Sequence, residues 1–100
     1  MKFVYEPHLL EYMNKKGKNI LVVEEITSNT SDFEITELHV HLIDAKRADF
    51  FKTKQRYYGI KTNEGEVLLP PFRLKYDDVI TFGLKSFLGI KYLSYTGIQK

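Results

Sequence analysis

Thr36-Glu37-Leu38-His39-Val40-His41-Leu42 alternates strictly, with Leu38, Val40 and Leu42 on one side and Glu37, His39 and His41 on the other. Successive side chains of a strand point to opposite faces, so this period of two marks a strand with one buried and one wet face. Such a strand needs a partner and a covering layer. Upstream, Ile20-Leu21-Val22-Val23 places four apolar residues in a row before Glu24, Glu25 and Ile26. That run suits a strand covered on both faces near its start, and so central in its sheet. Between the two, Thr27-Ser28-Asn29-Thr30-Ser31-Asp32 is wholly polar and rich in side chains that bond their own backbone, which predicts an exposed loop.

Further out, Phe3, Val4 and Tyr5 are β-prone and predict a short opening strand. Pro7 then stands where a first helical residue belongs, Glu6 and Glu11 lie near the positive end of the helix dipole, and Lys15 and Lys16 lie near its negative end. Gly17 supplies the stop, and Leu9, Leu10 and Met13 recur at helical spacing toward the core. Ala45 to Gln55 reads as a short helix or an irregular loop, since Ala45, Ala48 and Phe51 fit a helical turn but their basic neighbours add no pattern. Tyr57 to Thr62 and Glu66 to Leu69 predict a hairpin around Asn63-Glu64-Gly65, with Gly65 in a left-handed position. Pro70-Pro71 ends it, because proline donates no ladder hydrogen bond. Val79 to Leu84 and Ile90 to Tyr95 predict two more strands, with Ile80, Phe82 and Leu84 on one face and Gly89 at the connection. The sum is one N-terminal helix and about six strands in a mostly antiparallel or mixed sheet, an α+β domain spanning residues 1–100.

Composition bounds the chemistry. The 100 residues are 43% hydrophobic, with seven Phe and seven Tyr, enough apolar surface for one core. There is no cysteine, which excludes cysteine nucleophiles, thiolate zinc sites, Cys-ligated clusters and disulfide staples. No apolar run approaches the roughly 20 residues of a spanning helix, and the start meets Glu6 and Pro7 before a signal peptide could form. A cytoplasmic protein of bacterial style without a membrane partner is the expectation. Charge is bipolar: residues 1–44 hold four Lys against eight acids, residues 45–100 eleven Lys or Arg against five. That asymmetry suits either an anion-binding face or attraction between the halves; a mixed solvated surface is the preferred reading.

The end of the chain, Ile80-Thr81-Phe82-Gly83-Leu84, Phe87-Leu88-Gly89-Ile90-Lys91-Tyr92-Leu93 and Gly97-Ile98, resembles the close of small HesB-like proteins, the fold family of A-type iron-sulfur cluster carriers. The opening is similar too: a short strand, a helix with Leu10-Glu11-Tyr12-Met13 ending in Lys15-Lys16-Gly17, then Ile20 to Val23. The resemblance implies a twisted β-sandwich-like fold with a helix packed against it. Cluster-binding members place one cysteine after the second strand and a Cys-x-Cys pair near the C-terminus, because soft thiolates hold iron. Here those places read Ser28-Asn29-Thr30-Ser31 and Gly97-Ile98-Gln99-Lys100, so no functional residue of the family carries over and no cofactor is expected.

Two side-chain groups remain as candidates. Glu37, His39 and His41 share one strand face, a spacing that can bring two imidazoles and a carboxylate toward one metal, with Asp44 as a fourth ligand. Alternation puts polar residues on the wet face of any half-buried strand, and a solvated face without metal is the preferred reading. Phe50-Phe51-Lys52-Thr53-Lys54-Gln55-Arg56-Tyr57-Tyr58 interleaves cations with aromatics, the composition that tracks a nucleic-acid backbone while stacking bases. Lys52, Lys54, Arg56 and Tyr57 are its candidate interaction patch; core anchors flanking a basic loop are the preferred reading. Asp77-Asp78 and Glu24-Glu25 do not pair for acid-base work, because strand neighbours face opposite ways. His8 lacks a partner at catalytic spacing, and no phosphate loop or nucleophile elbow is present. The functional expectation is a non-enzymatic domain acting through protein contacts, with a homodimer as one possibility and an exposed edge strand or the aromatic-rich end as the contact surface. A nucleic-acid or anion-binding module using residues 50–58 is the alternative.

Overall fold

A computed structural model describes all residues, Met1–Lys100. In chain order its elements are β1 (Lys2–Tyr5), α1 (Pro7–Lys16), β2 (Ile20–Asn29), β3 (Glu34–Ile43), α2 (Ala45–Lys54), β4 (Tyr58–Lys61), β5 (Glu66–Leu69), β6 (Lys75–Phe87) and β7 (Ile90–Gln99). The fold class is α+β. The strands form a three-stranded sheet in the order β1-β6-β7 and a four-stranded sheet in the order β3-β2-β5-β4. Both sheets are mixed: β1 runs parallel to β6 and β2 parallel to β5, while the remaining neighbours are antiparallel.

The apolar run at Ile20 explains the placement of β2. Leu21 and Val23 face the core shared by the two sheets, with Leu38, Val40, Val67, Leu69, Ile80, Phe82 and Ile98. Val22 faces the other way, onto a second cluster with Ile43, Ala48, Phe51, Tyr57 and Leu68 beneath α2. A strand buried on both faces must lie inside its sheet, and β2 does, between β3 and β5. Helix α1 contributes Leu9 and Met13 to the larger core and ends at Gly17, whose φ of 67° is the left-handed stop read from the sequence.

Four expectations need correction. The structure has two helices, not one: Asp44 caps α2 by accepting the Arg47 backbone N–H at 2.8 Å, and only Ala48 and Phe51 of its ten residues are buried, too few to stamp a helical period on the sequence. The polar stretch from Thr27 to Asn29 continues β2, paired with Glu34 to Thr36, because ladder bonds to β3 carry it past the end of the core. Leu10 is 36% exposed, on the shoulder of α1, leaving Leu9 and Met13 as its core contacts. Gly65 has a φ of 159°, outside the compact left-handed turn, and packs so closely on the Asn19 carbonyl that a Cβ has no room.

Candidate functional site

Strands β3 and β7 are the outer strands of different sheets, and they face one another across the sandwich. Each pairs on one side only, β3 with β2 and β7 with β6, and no backbone bond joins them. They meet at one end. There the Tyr95 hydroxyl donates to the Leu38 carbonyl at 3.4 Å, and the Lys100 ammonium donates to the Thr36 carbonyl. These contacts pair later residues of β7 with earlier residues of β3, so the two edges run in opposite directions. Alongside that contact and beyond it runs a groove of about 660 Å³, lined by Glu37 to Leu42 on one wall, Lys91 to Tyr95 on the other, and Tyr12 of α1.

The contacts at the closed end also give the orientation of the β3 backbone. The Leu38 and Thr36 carbonyls point away from β2, and alternate residues of an antiparallel strand direct their backbone groups to the same side. Val40 and Leu42 therefore turn their N–H and C=O toward the groove. Their side chains, with Leu38, form its apolar floor against the core; Leu38 and Val40 are buried and Leu42 is half-buried. An unpaired edge over an apolar floor offers hydrogen bonds and pockets together.

The rim is polar. His39 and His41 lie on the outer face of β3 with rings stacked 6.0 Å apart at 11°. His39 meets Glu37 at 3.1 Å, and His41 meets Glu24 of β2 at 3.4 Å. The residues read as a possible metal trio thus divide into two separate pairs, and the structure gathers no group of three side chains able to hold a metal ion. At the open end Tyr12 lies between two ammonium groups, Lys16 at 5.5 Å and Lys91 at 5.7 Å from its ring centre.

The basic-aromatic segment is used differently. Tyr57 is 8% exposed and packs against Phe51 with ring centres 4.9 Å apart, so neither ring is a free platform for a base. Burial, followed by the charges of Glu24 and Glu25, pushes the Tyr57 hydroxyl above its ordinary pKa. Lys52 donates to both carboxylate oxygens of Glu66, at 3.0 and 2.9 Å, and compensates the one buried acidic side chain of the core. Arg56 turns the chain out of α2 with a φ of 60°. Lys54 and Arg56 stay exposed. The four patch residues are therefore not one surface: two are committed to the fold and two to solvent.

Sequence reasoning missed Tyr12 and Lys91 as neighbours of β3, since helix and strand meet only in three dimensions. It put the β6–β7 connection at Gly89 but passed over Leu88, which opens this two-residue turn where Asn or Asp would ordinarily stand. That departure was visible in the chain. No family model, curated protein or solved structure matches this sequence, and no helix is long and apolar enough to cross a membrane.

Proposed function

We propose that this chain is a non-enzymatic interaction domain that receives an extended segment of a protein partner in the groove between β3 and β7. One observation carries the reading: two unpaired strand edges face each other across an apolar-floored groove that nothing in the chain fills. An inserted strand would run antiparallel to one wall and parallel to the other. Main-chain bonds to Val40 and Leu42 would supply affinity, at about 1 kcal/mol each net of water. The floor of Leu38, Val40 and Leu42 would select apolar residues at alternate positions of the segment, and the histidine pairs and Lys91 would select its polar ones.

Kinship with HesB-like proteins belongs to the same proposal. Its support is the order strand, helix, two strands at the start and the long closing hairpin of β6 and β7. With no thiolate in the chain, a contact role fits that scaffold better than cluster transfer.

Panning a random peptide library on the purified protein tests the groove. Enriched sequences should alternate apolar residues and should lose binding to Leu42→Pro, a change that removes an outward N–H without taking a bond from the β2–β3 ladder. An absence of enrichment, or peptides that bind a folded Leu42→Pro variant equally well, would contradict the reading.

A further inference from the structure

At the far end of β6 and β7 the chain turns through Leu88 and Gly89, both at positive φ, 51° and 80°. Two such residues make the tight turn that matches strand twist, and a leucine there is strained where Asn or Asp would be at ease. The fold gains no burial in return. Leu88 is 86% exposed, Phe87 68% and Ile90 71%, an apolar knob closed by the pairing of Phe87 with Ile90 at the end of the ladder. Isolated exposed apolar residues are ordinary, but three on one turn form a patch that marks an interaction site.

The surroundings indicate what the knob meets. Behind it stand the ammonium groups of Lys85 and Lys91 on the hairpin and of Lys15 and Lys16 on α1, all exposed; Lys15, Lys85 and Lys91 share a depression beside Tyr12. The one carboxylate in that depression is Glu11, 3.7 Å from His8. Tyr12 and Tyr92 sit at the same level as the lysines, amphipathic rings of the kind that settle between lipid headgroups. A second copy of the chain docked tip to tip would bring eight lysines together, which disfavours it.

We propose that the β6–β7 tip inserts into the surface of an anionic lipid bilayer, with Phe87, Leu88 and Ile90 among the outermost acyl chains and the four lysines over the headgroups. No spanning helix is needed, since an interfacial anchor works by shallow apolar insertion plus charge. Tyr12, Lys91 and Tyr92 border both the tip and the groove, whereas Phe87, Leu88 and Ile90 belong to the tip alone, so the outcomes at Leu88 decide the tip and leave the groove standing.

Co-sedimentation with vesicles of phosphatidylcholine alone and of phosphatidylcholine mixed with phosphatidylserine tests the assignment. The chain should bind only the mixed vesicles and should release as salt rises. Lys85→Gln with Lys91→Gln should weaken partitioning about 25-fold, at roughly fivefold per lysine. Leu88→Asn, which suits the turn and keeps the fold, should weaken it at least tenfold. The chain has no tryptophan, so Leu88→Trp supplies a single reporter whose emission should shift to the blue on binding. No sedimentation with phosphatidylserine vesicles, undiminished binding by Leu88→Asn, or an unmoved emission maximum would overturn the proposal; a tip that docks on a protein gives the first of these results.

Discussion

Two of the three hairpins of this molecule, β4–β5 and β6–β7, use their turns in opposite ways. In the β4–β5 hairpin the turn is polar and bonded inward: Thr62 Oγ1 accepts the N–H groups of Glu64 and Gly65 at 3.2 and 3.0 Å and lies 3.1 Å from the Tyr5 hydroxyl. Glu66 then donates its N–H to the Asn19 carbonyl at 3.1 Å. In the β6–β7 hairpin the turn is apolar, exposed and without a side-chain bond. The first turn serves the fold. The second costs the fold strain and returns no contact, so its residues are free to serve something outside the chain.

The largest expected effect that sharpens this contrast is at Gly65. A Cβ there would collide with the Asn19 carbonyl, and φ of 159° is hard for any other residue, so Gly65→Ala should cost about 3 kcal/mol in urea unfolding. A loss below half of that would show that the polar turn yields as easily as the apolar one. Next is Lys52→Met. Glu66 would keep only Lys61, 3.8 Å away and 83% exposed, and the buried carboxylate should lose about 2 kcal/mol of compensation.

A smaller effect lies at the base of the second hairpin. Tyr76 has a buried hydroxyl that meets no well-formed hydrogen-bond partner and has only the Tyr58 hydroxyl as a polar neighbour, and burial, then Tyr58, pushes its pKa well above 10.0. Burial likewise raises Tyr5 and Tyr57. A phenol whose folded pKa exceeds its unfolded value contributes stability that is present in full below about pH 10 and is lost as pH climbs toward the folded value. Stability should therefore hold to about pH 9 and fall above 10. Tyr76→Phe should remove part of that fall and gain about 1 kcal/mol at neutral pH; a destabilised variant would mean the hydroxyl has a partner. The smallest effect is at the apolar tip itself: Leu88→Asn should leave stability unchanged or raise it by about 0.5 kcal/mol, and a clear loss would show that the tip serves the fold after all.

How far the sequence could be read follows from which contacts are local. Alternation at Leu38, Val40 and Leu42 and the solid run at Leu21 to Val23 each report the burial of a single strand, and both strands lie where those patterns put them. Helix α2 left a weak signature because its cap and two buried residues suffice to hold it. The groove left none. It depends on β7 approaching β3, with contacts such as Tyr95 to Leu38 spanning 57 positions, and on the parallel pairing of β1 with β6. The interleaving of cations and aromatics gave Lys52 and Tyr57 as candidate surface residues because a cation with a buried carboxylate partner, or a ring packed in the core, looks the same in sequence as a free one.

Residue-resolved amide hydrogen exchange along β3 is the most direct test of the open edge. The N–H groups of Val40 and Leu42 should exchange quickly despite their enclosed side chains, those of His39 and His41 should exchange slowly through their bonds to β2, and a selected peptide should slow the first two alone. Equal, slow exchange at all four in the free chain would mean the edge is already covered and would contradict the account.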